Sequence, residues 1–226
     1  MATLYTQIPR AVLWLLQGSD FEVGGTGGDT EPAHWVELGS FYISRGPISN
    51  EQYEAFMPGF RRDPTSPEDH DPAVGVSFIQ ATAYAAWYAD LSSKAFRLPT
   101  EAEWEFAACA IGKHTYPWGD APEQSERFAW TKENGNGICH PVDTPTPSKT
   151  GLYGMIGNVW EWTSSAYRAY PIVDGDGRDD TAGDETRVIR GGSHAQPIAE
   201  LSCTRREARS PDTCSPLIGF RIVRGL

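Results

Sequence analysis

Gly151-Leu152-Tyr153-Gly154-Met155-Ile156-Gly157-Asn158-Val159-Trp160-Glu161-Trp162 has too much glycine for a helix and apolar spacing too irregular for an ordinary strand. It still carries the aromatics and the single acid of a segment that goes inside. The stretch reads as a tight, ordered turn that delivers Trp160, Glu161 and Trp162 to fixed places. A carboxylate buried there without a partner would be costly, so Glu161 is expected either to bind a cation or to accept backbone N–H bonds.

Helix starts stand upstream of this turn. Ser49 with Gln52, Ser77 with Gln80 and Thr100 with Glu103 each place a hydroxyl three residues before an amide or carboxylate, the spacing of a reciprocal capping box. Ile48 and Tyr53 are placed to staple the first of these helices. Phe78, Ala81, Tyr84, Ala85, Tyr88 and Leu91 predict one apolar face on the second, and Trp104, Ala107, Ala108 and Ile111 one on the third. Earlier, Phe21–Gly25 and His34–Ile43 read as two strands around a glycine-rich loop. From Gly112 to Lys149 periodicity nearly vanishes into successive turns, a length that points to ordered functional loops. Asp174–Asp180 reads as a charge-rich solvated loop.

The chain has 226 residues, enough to bury a sizeable core as one domain. Its eight tryptophans, nine tyrosines and nine phenylalanines supply burial area, while 23 glycines and 17 prolines imply many turns. A loop-rich α+β fold suits that mixture. A formal net charge of -11 repels phosphate backbones and anionic lipid, which argues against nucleic acid and membrane as partners. Ala11-Val12-Leu13-Trp14-Leu15-Leu16 is too short to span a bilayer and reads as a core strand or interface segment. With no convincing cleavage site after it, the expected location is cytoplasmic rather than secreted. Cys109, Cys139, Cys203 and Cys214 show no zinc-type spacing. Cys109 reads as a buried small hydrophobe, and Cys203 and Cys214 could pair if the chain doubles back.

With Arg97-Leu98-Pro99-Thr100-Glu101-Ala102-Glu103-Trp104-Glu105 before it, and Arg190-Gly191-Gly192-Ser193 and Ile218-Gly219-Phe220-Arg221 after it, the Gly151–Trp162 segment resembles the formylglycine-generating enzyme family, also called the sulfatase-modifying-factor domain. The resemblance runs from about Phe21 to Arg224. It implies one α+β domain with a C-type-lectin-like core over 21–226, and a segment 1–20 packed on it. Authentic members oxidise a sulfatase cysteine with copper held by two cysteines five residues apart; here those positions fall on Leu201 and Arg206, so copper is not expected. Related sulfoxide synthases hold iron with a histidine triad from a separate domain, whereas His34, His70, His114, His140 and His194 are dispersed. The family's calcium turn maps onto the carbonyls of Gly157 and Val159 and the carboxylate of Glu161, although Gly154 stands where a further side-chain ligand is expected.

What the resemblance leaves is a binding surface. Trp160 belongs to the turn that lines the family's groove, and Arg205, Arg206 and Arg209 form a basic spot in an acidic chain. With His194, these are the candidate ligand-binding residues for a protein, peptide or small anionic ligand. The arginines could equally pair with Glu200, Glu207 or Asp212. Trp162 and Arg221 read as structural. The alternative function is a metal-dependent oxidoreductase whose ligands, iron's among them, come from His194, Cys203 and their neighbours.

Overall fold

The computed structural model describes residues 10–109 and 113–226. In chain order its elements are β1 (Leu13–Leu16), β2 (Asp20–Val23), β3 (His34–Glu37), β4 (Phe41–Ser44), α1 (Asn50–Phe56), α2 (Phe78–Ser92), β5 (Phe96–Arg97), α3 (Glu101–Cys109), α4 (Ser125–Phe128), β6 (Trp160–Ala166), β7 (Arg187–Arg190), β8 (Arg206–Arg209), β9 (Ile218–Phe220) and β10 (Val223–Gly225). One sheet runs β1-β4-β10-β5 and another β8-β7-β6-β9, with β2 and β3 forming a hairpin of their own. All strand pairs are antiparallel except β6 with β9. The last strand, β10, lies between β4 and β5, so the chain's end closes a sheet opened near its start. This is the α+β, loop-rich domain that the motifs predict.

The helix starts form as their sequences dictate. Ser49 and Ser77 each accept from the backbone N–H three residues on, while Gln52 and Gln80 accept from the cap residue's own N–H. Thr100 and Glu103 make the same exchange, and Arg97 adds a two-pronged ion pair to Glu103 at 2.6 Å on each arm. Such a cap contributes about 1 kcal/mol. α2 buries Phe78, Ala81, Tyr84, Ala85 and Tyr88, and its last turn runs past the core, leaving Leu91 exposed. These residues pack with Tyr53, Trp160, Trp162 and Phe220 in one apolar cluster. A second cluster gathers Phe41, Ile43, Trp104, Phe106, Met155, Ile156 and Leu201.

Several expectations change. The His34–Ile43 run splits into β3 and β4, because Gly39 and Ser40 turn the chain from the hairpin into the first sheet. The Ala11–Leu16 run is an edge strand paired only with β4 among the described residues, and Val12, Trp14 and Leu15 are exposed. Of the expected segment 1–20, residues 1–9 lie outside the described residues, and β1 belongs to the sheet. Ile111, expected on the apolar face of α3, also lies outside them. Every residue of α3, acids included, is buried. Arg206–Arg209, which the sequence shows only as part of a basic spot, is a strand because its backbone pairs with β7.

Candidate functional site

The burial of α3 is possible because each of its acids meets a cation or donor from a distant motif. Glu101, fully buried, takes the guanidinium of Arg206 at 3.1 Å and that of Arg178 at 3.4 Å. Burial holds the Glu101 carboxyl above its ordinary value, and Arg206, Arg190 and Arg178 offset only part of that rise. One turn further along, Glu105 pairs with Arg190 and accepts the Gly24 N–H at 2.8 Å. Between them Trp104 donates its indole N–H to Glu161 at 2.7 Å. Spacing of three and four residues puts all three groups where β6, β7 and β8 pass. The segments that carry the family resemblance are thus clamped to one helix.

Glu161 itself is fully buried, and its two oxygens accept Arg221 Nε at 2.6 Å and the Arg221 terminal amino group at 2.7 Å, besides the Trp104 bond. The partner is a side-chain cation, where the sequence reading expected a metal or backbone N–H groups. A calcium ion at this carboxylate does not fit, because it would have to displace a guanidinium that already neutralises it and shares its oxygens. Gly157 is in the left-handed region (φ +75°), and a Cβ there would overlap the Trp130 carbonyl, so the turn requires glycine. Val159 packs with Val74 and Cys139.

His194 follows the turn at Gly191-Gly192-Ser193, where Gly192 is likewise left-handed and a Cβ would strike Leu201. Its backbone N–H donates to Asn158 O at 2.9 Å. The ring is buried, neither nitrogen has a partner among the described residues, and burial, helped by nearby His140, lowers its pKa. Its neutral form is therefore the one held at neutral pH.

The candidate arginines separate. Arg206 is locked: its guanidinium lies on Glu101 and between the rings of Tyr167 and Tyr170, at 4.5 and 4.3 Å. Arg205 and Arg209 share the carboxylate of Glu207, at 2.8 and 2.6 Å, and remain partly exposed. The Arg205 guanidinium also lies 5.7 Å from the Trp160 ring, which is itself buried and does not form an open groove wall. Arg205, Arg206 and Glu207 line an open cleft of about 530 Å³ whose other wall is the β2–β3 loop from Gly25 to Thr30. Sequence reasoning found this loop but not its place on the cleft. Asp29, on the same wall, accepts the Tyr167 hydroxyl, and burial together with that bond pushes Tyr167 up to about 12. Arg178, expected in a solvated loop, is buried on Glu101; an isolated arginine among aspartates was the one available signal.

Leu201, one of the two positions aligned with the copper cysteines, is buried between two cleft residues, Glu200 and Ser202. Cys203 is bonded to Cys109, which corrects both the free, hydrophobic reading of Cys109 and a Cys203–Cys214 pair. Cys139 is free and buried, and Cys214 is free and exposed. A disulfide-bonded Cys203 offers no thiolate to a metal with His194. Among the described residues no three histidines, cysteines or acids gather as a metal site.

The chain is similar to known proteins over this whole frame. It is 37% identical over 183 residues to the formylglycine-generating enzyme of Streptomyces coelicolor, covering 72% of this chain and 55% of that protein. It is 34% identical to the inactive C-alpha-formylglycine-generating enzyme 2 of Bos taurus, covering 68% of this chain and 50% of that one. The chain therefore spans about half the length of these relatives. Among solved structures, Treponema denticola variable protein 1 superposes with a TM-score of 0.83 at 22% identity, covering 95% of each chain, a likeness of fold. The model of the sulfatase-modifying factor enzyme 1-like domain matches residues 5–226, and the chain belongs to that family.

Proposed function

We propose that this domain is a recognition module, with the cleft between the β2–β3 loop and the Glu200–Glu207 segment as its ligand site. The observation that carries the reading is the fate of the two positions aligned with the copper cysteines: Leu201 is core, and Arg206 is spent on Glu101. Neither side chain can be a thiolate, and the one nearby cysteine is in a disulfide. The cleft wall instead offers hydroxyls from Thr26, Thr30, Ser202 and Thr204, and a guanidinium on Arg205 whose only carboxylate partner among the described residues is Glu207. An incoming carboxylate of a peptide or small anionic ligand can take the place of Glu207 on Arg205, which is an exchange of like for like with little desolvation. Calcium, if this domain uses it, would have to act without Glu161.

The Cys109–Cys203 bond favours an oxidising compartment, so we place the domain outside the reducing cytoplasm, against the cytoplasmic expectation from sequence. Among the described residues no helix is long and apolar enough to cross a membrane.

The test has two arms. Peptides selected from a random library on the wild-type domain should bind roughly tenfold or more weakly to Arg205→Ala, the loss of one charged hydrogen-bonding contact of about 1.5 kcal/mol or more. Incubation with a cysteine-containing sulfatase peptide, copper and oxygen should yield no aldehyde by mass spectrometry. Unchanged binding to Arg205→Ala would move the site elsewhere, and aldehyde formation would restore the oxidase reading.

A further inference from the structure

A second cavity, of about 290 Å³, shares no lining residue with the cleft and is lined by Arg10, Arg45, Pro47, Gln52, Val142 and Tyr153, among others. Arg45 stands out within it. Its guanidinium lies between two aromatic rings, 5.1 Å from Trp14 and 5.0 Å from Tyr153, and its Nε donates to Gly151 O at 3.0 Å. The Tyr153 N–H in turn donates to Arg45 O at 2.7 Å, so side chain and backbone are both tied to the Gly151–Tyr153 turn. No carboxylate pairs with Arg45, and its two terminal amino groups have no acceptor among the described residues. Of the other arginines that the fold holds this firmly, Arg178, Arg190, Arg206 and Arg221 each have a carboxylate on them, and the terminal amino groups of Arg187 are taken up by the carbonyls of Ser164, Asp180 and Ala182.

A guanidinium fixed at three of its faces, with its outer edge free, is a two-pronged oxyanion receptor whose ordering has been done by the fold. The charge around it selects the anion. The cavity lining carries Arg10 and Arg45 against Glu51 and Asp143, with His70 3.8 Å from Glu51. Those fixed charges balance, so the field favours one negative charge matched to the planar fork and resists a doubly charged, tetrahedral one. At ~30 Å³ per water the cavity holds about ten water volumes, which is the size of a small organic acid.

We propose that this cavity binds a small monocarboxylate, with the carboxylate held end-on by the two terminal amino groups of Arg45 and the rest of the ligand along the Pro47 and Val142 wall. The site is separate from the cleft and does not depend on the function proposed for it.

Titration calorimetry of the whole chain with acetate, butyrate and N-acetylglycinate tests this, with the matching neutral amides and inorganic phosphate as comparison probes. At least one carboxylate should bind, its amide should not, and phosphate should bind more weakly. Arg45→Lys, which keeps the charge but loses the fork, should weaken binding roughly tenfold or more. Gln52→Glu supplies a check that does not disturb Arg45: a glutamate still serves the Ser49 capping box, but it sets a negative charge at the cavity wall and should also weaken binding. Titrated in an Arg205→Ala background, which removes the carboxylate contact proposed for the cleft, the protein should still show the Arg45-dependent binding. No carboxylate binding, equal binding of the amides, tighter binding of phosphate, or indifference to both Arg45→Lys and Gln52→Glu in folded protein would each overturn the assignment.

Discussion

Replacing Glu161 with glutamine should destabilise this domain more than any surface substitution, because it changes one atom in a pair that is wholly buried. The carboxylate accepts three bonds, at 2.6 and 2.7 Å from Arg221 and at 2.7 Å from Trp104. Glutamine keeps one acceptor and turns the other into an amino group facing a donor. Arg221 retains the carbonyls of Ser44 and Tyr153, at 3.2 and 3.0 Å, but its charge is left without a counter-charge in the core. Breaking a buried pair in this way costs about 3–5 kcal/mol. For a chain of this size each kcal/mol is worth about 2–4 °C, so the midpoint should fall by roughly 6–20 °C. Scanning calorimetry with and without calcium reads the outcome, and Arg221→Met serves as the second edge of a double-mutant cycle. The pair should show a coupling of about 1–3 kcal/mol, with the double variant less damaged than the sum of the singles. A loss under about 1 kcal/mol, or strict additivity, would refute the argument. A calcium-dependent gain present in wild type and missing in Glu161→Gln would show that the carboxylate serves a metal after all.

Two further outcomes follow from the cysteines and from His194. The Cys109–Cys203 bond closes a loop across a sequence separation of 94, so Cys109→Ser with Cys203→Ser should lose about 2–4 kcal/mol by denaturant unfolding; two blocked and two free thiols by mass are expected in the native protein, and four free thiols would remove the premise. Because His194 is held neutral with its pKa below the ordinary 6.5, the unfolded chain takes up a proton first as pH falls. Stability is then full above that value and declines below it, by at most about 1.4 kcal/mol per pH unit. His194→Phe should flatten the stability profile between pH 7 and pH 5, and an unchanged slope would show that the ring is already charged in the fold.

The parts of the molecule that sequence reveals are those whose cause is local. Capping boxes at Ser49, Ser77 and Thr100 announce helices because the reciprocal bond is made within four residues. The apolar face of α2 follows from helical period alone. The acids of α3 were visible as residues but not as partners: that Glu101 would meet Arg206, 105 positions away, and Arg178, 77 away, depends on how β6, β7 and β8 cross the helix. The same long-range pairing turned Arg206 from a candidate ligand contact into part of the frame and left Arg205 and Arg209 as the accessible pair. Strand β8 was missed for a related reason, since its backbone partner β7 supplies what its side-chain pattern lacks. The β2–β3 loop could be recognised as a loop, but not as a wall of the cleft.

The clamps around α3 also bear on what kinship can say about chemistry. Arg97, Glu101, Trp104, Glu105, Glu161, Arg190 and Arg221 belong to the segments by which a chain of this kind is recognised, and each is occupied in an ion pair or hydrogen bond inside the fold. A lineage can therefore lose or replace its reactive groups and still keep every residue that marks its descent. Two relatives, one named for generating formylglycine and one named as inactive, stand at 37% and 34% identity to this chain, nearly the same remove. That is the pattern expected when inheritance preserves a chassis and leaves the working surface free to diverge.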